Sequence, residues 1–170
     1  DEGGDVPHLK VTNKSDKPVL ILAGDELIGA KQNRIVNVTM IVAKRSSLVV
    51  PVSCVEQGRW AYQSRSFAAG RTASFEVRKE MTRDIRRNVR ATGEYDSDQL
   101  NVWGKIEEMH ASLGAASETR AMGDSYDKVA GRLVEFKGRL TCPEKANGLA
   151  AFINGRLVAL ELFEHPDILK

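Results

Sequence analysis

The sequence has few of the residues that build metal and disulfide sites. Two of its 170 residues are cysteines, Cys54 and Cys142, and they lack the CxxC spacing of zinc sites and thioredoxin-type redox sites. Reduced, separate thiols are typical of cytoplasmic proteins, so we expect a cytoplasmic location and no dedicated zinc site. The histidines, His8, His110 and His165, all lie far from Cys54 in the sequence.

Long apolar runs and a strong net charge are also lacking. The longest apolar stretches, 19–23 and 48–52, are far shorter than the ~20 residues of a membrane-spanning helix. The formal net charge is +2, so no overall field favours nucleic acid or an anionic membrane. The basic segment 71–90 also contains three acidic residues, which favours a solvated helix face. We therefore expect neither a membrane nor nucleic acid as a partner.

The hydrophobic pattern predicts an α+β protein. Strands are predicted within 8–56, helices within 73–138, and a C-terminal hairpin within 149–163 around the turn Asn154-Gly155. If this hairpin joins the N-terminal strands, they form an antiparallel sheet or open sandwich. About three helices would then cover that sheet as one layer.

Local signals predict where several elements begin and end. Residues 9–12 and 19–22 are expected to form a hairpin, because turn residues separate them. Pro51 cannot donate to a strand ladder, so its strand is expected at a sheet edge or at a bulge. Gly93 should end the first helix, the acids at 96–98 should begin the second, and a third helix should run from about 117 to 138.

The length and composition fit one globular domain. With 42% hydrophobic and 28% charged residues, residues 1–170 are expected to form a single domain. The chain begins at Asp1 without an initiator methionine or a recognisable leader. A fragment of a longer chain and a lost signal peptide therefore both stay open.

A first group of polar residues follows the second predicted strand. The segment GDELIGAKQNR, residues 24–34, contains two glycines together with Glu26, Lys31, Gln32, Asn33 and Arg34. Cationic and amide side chains bind phosphate or carboxylate, and glycines let backbone N–H groups approach a ligand. The segment is neither a P-loop nor a dinucleotide fingerprint. A solvated connection whose charges pair with each other explains it equally well.

A second polar group ends the strand-like run that begins at residue 48. It contains Cys54, Glu56, Arg59 and Trp60. Trp60 can stack on a ring, Arg59 can bind an anion through two hydrogen bonds, and Glu56 can act as a base. A nucleophilic Cys54 requires an adjacent base that the sequence does not indicate, and a buried structural cysteine is the commoner case.

Residues at the predicted start of the second helix complete the candidate set. Asp98 and Gln99 are predicted ligand-binding residues beside the two polar groups, while Glu56, Glu26 and Cys54 are the catalytic candidates. Magnesium needs one or two carboxylates together with substrate phosphates, so a divalent cation is compatible with these residues. Acids in the first turn of a helix are explained equally well by capping. No residue is assigned as a metal ligand, and the cofactor stays unknown.

Four segments, in order along nearly the whole chain, carry a family resemblance. They are VPHLKVTNKSDKPVLILAGDELIGAKQNRIVN, VPVSCVEQGRW, SDQLNVW and AFINGRLVALELF. In these motifs the chain resembles the ARG and rhodanese-phosphatase-superfamily-associated protein domain, a prokaryotic family without a settled biochemical activity. The family name records an association with ADP-ribosylglycohydrolases. The resemblance therefore implies a role near NAD-derived or phosphorylated nucleotides, and it assigns no catalytic residue.

The leading hypothesis is a domain that binds a small anionic, nucleotide-like ligand. Its cleft would be formed by 31–34, 56–60 and 98–99, which requires Lys31, Arg59 and Asp98 to line one concavity. The alternative is a hydrolase or phosphatase-like enzyme on a nucleotide derivative, with a glutamate base or a cysteine nucleophile. A third hypothesis is an interaction scaffold in which the polar groups bridge the subunits of a homo-oligomer.

Overall fold

The computed structural model describes residues 7–169, and these form the predicted α+β fold. The strands are β1 (His8–Asn13), β2 (Val19–Ile21), β3 (Asp25–Ile28), β4 (Arg34–Val36), β5 (Met40–Val42), β6 (Ser46–Cys54), β7 (Ala68–Thr72), β8 (Gly148–Ile153) and β9 (Arg156–Leu162). The helices are α1 (Phe75–Thr92), α2 (Gln99–Leu113), α3 (Met122–Lys128), α4 (Ala130–Arg139) and α5 (Pro166–Leu169). The chain divides into two compact units, the first ending at Lys128 and the second beginning at Val129.

A five-stranded antiparallel sheet forms the centre of the first unit. Its order is β1-β6-β4-β3-β7. Successive residues of a strand point to opposite faces, and β4 is buried on both, with Ile35 and Val36 in two different hydrophobic clusters. The cluster around Ile35 includes residues of α1, α2 and α3, whereas that around Val36 is built from strand residues. Three helices thus cover one face of the sheet, as the sequence predicted.

Caps fix the ends of the two long helices, and two of them, Gly93 and Asp98, lie where the sequence predicted them. Ser74 accepts a hydrogen bond from the Val77 N–H at the start of α1, and Gly93 ends this helix with a φ of 84°. Asp98 caps α2, which ends at Gly114 in the left-handed region. Among the described residues, no helix combines the length and the apolar character needed to cross a membrane.

Three of the local sequence predictions are wrong. β1 pairs with β6 and β2 pairs with β5, so residues 9–12 and 19–22 do not form a hairpin with each other. β6 lies between β1 and β4, not at an edge. Pro51 instead lies where the β4 ladder ends: its carbonyl accepts from the Asn37 N–H at 3.0 Å, and it has no N–H to return. The predicted third helix is broken at Val129 into α3 and α4.

The second unit contains α4, the terminal hairpin and α5. β8 and β9 form a separate two-stranded antiparallel sheet. Asn154 and Gly155 form its turn with φ values of 49° and 75°. A positive φ at both positions is what a tight two-residue hairpin turn requires, so the sequence signal identified this turn correctly.

Candidate functional site

A cleft of about 330 Å³ lies in the first unit, between the end of β6 and the start of α2. It is lined by Pro7, Gln32, Val52, Ser53, Cys54, Trp60, Asp96, Ser97, Gln99 and Trp103. Four of the sequence-predicted site residues therefore meet here: Gln32, Cys54, Trp60 and Gln99. Residues from three distant segments converge because β6 pairs with β4, and α2 packs against β6.

Gln99 joins the start of α2 to the end of β6. Its Oε1 accepts from the Cys54 N–H at 2.7 Å, and its Nε2 donates to the Cys54 carbonyl at 2.8 Å. Asp98 caps the helix, because its Oδ1 accepts from the N–H groups of Leu100 and Asn101 at 3.0 and 3.4 Å. Gln99 thus forms part of the wall of the cleft, whereas Asp98 fixes the start of α2, and both side chains use most of their hydrogen-bonding capacity within the protein.

An exposed aromatic ring and a cation lie together beside the cleft. Trp60 lines the cleft and is 57% exposed. The Lys31 ammonium lies 5.4 Å from the centroid of its ring, within range of a cation–π contact. The structure thus brings together Lys31 and Trp60, two of the predicted ligand-binding residues.

Arg59 is committed to contacts within the protein. Its Nη1 donates to the carbonyls of Ala30 and Ala61 at 3.0 Å each, and its Nη2 donates to Asn33 Oδ1 at 3.0 Å. The same Nη2 lies 2.6 Å from Glu56 Oε2. Arg59 therefore fastens the loop after β6 to the 29–33 loop and does not extend towards a ligand.

Glu56 is held by three donors. Burial would raise its pKa, but hydrogen bonds from the Arg59 guanidinium, the Asn33 N–H and the Thr119 hydroxyl outweigh burial and lower the pKa below its usual value. A carboxylate that stays ionised and fully bonded is a poor general base. The geometry therefore favours a structural role for Glu56, and for Asn33 with it.

Arg34 is fully buried in β4 and donates through Nη1 to Gln32 Oε1 at 2.9 Å. Through this contact Arg34 fixes the orientation of the Gln32 side chain, which lines the cleft. Gln32 itself is 5% exposed. Of the four-residue segment 31–34, two residues thus contribute to the neighbourhood of the cleft directly, Lys31 through Trp60 and Gln32 as part of the lining.

Glu26 belongs to a different cluster. It is 2% exposed on β3, and its Oε2 accepts from the Arg71 N–H at 3.1 Å. Its Oε1 has no partner among the described residues. Burial raises its pKa, with the nearby carboxylates Glu56 and Asp127 adding to the rise and Arg71 opposing it. Glu26 does not line the cleft.

Asp96 and Trp103, which are not among the predicted ligand-binding residues, also line the cleft and contribute an acid and a second indole to it. Within residues 7–169, Asp96 Oδ1 and Trp103 Nε1 are buried without a hydrogen-bond partner. Buried polar atoms are usually paired, so these two mark an acceptor and a donor that a ligand can satisfy. The available signal was the position of Trp103 within SDQLNVW, in the first turns after the Asp98 cap.

The leading hypothesis requires three residues to line one concavity: Lys31, Arg59 and Asp98. None of them is part of the cleft lining. Lys31 reaches it through Trp60, Arg59 bonds to neighbouring loops, and Asp98 caps α2. For a metal ion, no cluster of three or more His, Cys, Asp or Glu side chains with suitable placement occurs in residues 7–169.

Comparison with known proteins identifies the family. The model of the ARG and Rhodanese-Phosphatase-superfamily-associated Protein domain matches residues 1–170, so the chain belongs to this family. The resemblance seen in the four motifs is thereby confirmed. No curated protein and no solved structure matches the chain significantly.

Proposed function

We propose that this member of the family binds a small anionic molecule with a planar ring, such as a nucleotide, in the cleft beside Trp60. The observation that carries the proposal is the Lys31 ammonium 5.4 Å from the centre of the largely exposed Trp60 ring. An indole ring can stack on any nucleotide base, and an ammonium group is a common partner of phosphate. Trp60 can thus bind the ring of such a ligand, and Lys31 can bind its negative charge.

The inner part of the cleft supports a ligand with a polar ring edge. Gln32 presents an amide, and Asp96 contributes a carboxylate oxygen without a partner among the described residues. A base carries both donors and acceptors on its edge, so groups of this kind can orient it once it has stacked. The volume of about 330 Å³ is at the lower end of the range for small-molecule sites.

The role of Arg59 differs from the one expected from the sequence. Because its guanidinium holds the two loops together, we assign it the positioning of Trp60, the next residue, in place of anion binding. The enzyme alternative has less support, since Glu56 is occupied by three donors and Glu26 is not part of the lining.

Isothermal titration calorimetry with adenosine, AMP and ADP-ribose tests the proposal. We expect Trp60→Ala to weaken the binding of all three by about 1–3 kcal/mol, the usual value of a stacked base. Lys31→Ala should weaken AMP and ADP-ribose and leave adenosine unchanged, because adenosine has no phosphate. Added salt should reduce the Lys31 effect.

Matched controls are an exposed tyrosine outside the cleft lining, Tyr62→Ala, and an exposed lysine on the β5–β6 turn, Lys44→Ala. Both should bind as the unchanged protein does. Absence of binding for all three compounds, or equal binding by Trp60→Ala and Tyr62→Ala, contradicts the proposal.

A further inference from the structure

A second cleft, of about 250 Å³, lies on the other side of Trp103 in the same unit. Five of its lining residues form one stripe of α2, at the three- and four-residue spacing of a helix face: Trp103, Ile106, Glu107, His110 and Ala111. Gln57 and Arg120 complete the lining from two loops. Trp103 lines both clefts, and none of the other residues proposed to bind the nucleotide belongs to this one.

Arg120 is held in an unfavourable backbone conformation. Its φ is 55°, in the left-handed region that a long side chain rarely occupies. The preceding residue, Thr119, is fixed on Gly58, whose N–H donates to the Thr119 carbonyl at 2.7 Å. A Cβ at Gly58 would lie 3.0 Å from the Cα and the carbonyl oxygen of Thr119, so this close approach favours glycine. Strain of this kind is concentrated at functional sites.

The strained backbone delivers the Arg120 guanidinium to the cleft. Its Nη1 donates to Gln57 Oε1 at 2.9 Å. Among the described contacts it forms no ion pair, and Glu107, on the α2 side of the same cleft, forms none either. The cleft therefore has one cation and one carboxylate available, and Ile106, Ala111 and the Trp103 ring add apolar groups to its lining.

We propose that this second cleft binds a small zwitterion with the chemistry of a free α-amino acid that has an apolar side chain. Arg120 receives the carboxylate, Glu107 receives the ammonium group, and the side chain packs on Ile106 and Trp103. A purely anionic ligand would be repelled by Glu107 and a purely cationic one by Arg120. The small volume excludes larger ligands.

The test uses the full chain and three related probes. L-leucine carries both charges, isocaproate lacks the ammonium group, and isoamylamine lacks the carboxylate. We expect calorimetry to show L-leucine binding at least about tenfold more tightly than either analogue. L-leucine should also shift the NMR resonance of the Trp103 indole N–H.

Two variants assign the charges. Arg120→Gln should remove the advantage of L-leucine over isoamylamine, and Glu107→Gln should remove its advantage over isocaproate. Arg86→Gln, an exposed arginine of α1, is the control and should retain both preferences. Because Glu107 is exposed on a helix surface, Glu107→Gln should fold normally. This variant therefore still tests the proposal if Arg120→Gln disturbs folding. Equal binding of the three probes, or unchanged preferences in both variants, overturns the proposal.

Discussion

Arg59 Nη2 lies 2.6 Å from Glu56 Oε2, and the two side chains are 14% and 7% exposed. The same guanidinium donates to four other acceptors, the carbonyls of Gly29, Ala30 and Ala61 and the Asn33 side chain. The pair is therefore a largely buried joint: it connects the end of β6 to the loop before β4 through Asn33. Through Arg59 it also fixes the backbone at Ala30 and Ala61, the chain neighbours of Lys31 and Trp60.

Removing Arg59 should destabilise the protein strongly. Arg59→Ala leaves the Glu56 carboxylate buried without its cation and frees several carbonyl groups. We expect a loss of about 3 kcal/mol in the free energy of unfolding, as for other buried pairs that lose one partner. Urea denaturation followed by circular dichroism measures this loss.

Lys79→Ala is the matched control, because Lys79 and Glu76 are also three residues apart and are both mostly exposed. Its effect should stay below about 1 kcal/mol, since solvent screens such pairs. If Arg59→Ala costs no more than Lys79→Ala, the joint is not a major source of stability.

Glu26→Gln should change how stability depends on pH. Burial holds the pKa of Glu26 above 4.5, so the folded protein retains this proton where the unfolded chain has already released it. The contribution of Glu26 to stability is therefore largest below 4.5 and falls as pH rises through the folded pKa. Relative to the unchanged protein, Glu26→Gln should become more stable between acidic and neutral pH. Urea denaturation at a series of pH values checks this.

Glu56→Gln serves as the comparison with the opposite sign. The lowered pKa of Glu56 means that its contribution is present above 4.5 and is lost as pH falls through the folded pKa. The deficit of Glu56→Gln should therefore be largest at neutral pH and shrink in acid. If the stabilities of the two variants change with pH in the same way, the pKa values of Glu26 and Glu56 are not shifted in opposite directions.

Gln99→Ala should loosen the start of α2. The Gln99 amide satisfies both the N–H and the carbonyl of Cys54, 45 residues earlier in the chain. Loss of these two hydrogen bonds should cost about 1–3 kcal/mol, and amide exchange at Cys54 should accelerate. Leu100→Ala, at the next and largely exposed position, is the control. Unchanged exchange at Cys54 in Gln99→Ala would mean that water replaces the amide without loss.

The element types could be predicted from the sequence better than the strand pairing. Caps and hydrophobic spacing are local, so Gly93 and the acids at 96–98 indicated helix ends that the structure contains. Pairing depends on distant residues, and the turn signals after residue 12 predicted a hairpin that does not form. Pro51 shows the same limit, because a central strand accepts proline where a neighbouring ladder ends.

The candidate site was predicted only in part, because it too depends on contacts between residues that are distant in the sequence. Residue type indicated Gln32, Trp60 and Lys31 as ligand groups, and these do lie in or beside the cleft. Residue type could not reveal that the side chains of Arg59 and Asp98 form their hydrogen bonds within the protein. Trp103 was overlooked because an aromatic residue on an amphipathic helix usually belongs to the core.

Trp103 is a wall shared by both clefts. An occupant that tilts this indole enlarges one cavity at the expense of the other, so the two occupants would be thermodynamically linked. Linkage is reciprocal: any factor by which the first compound alters the affinity of the second must act equally in reverse. A ligand in one cleft that moved the Trp103 ring would therefore also change how tightly the other cleft binds its own ligand.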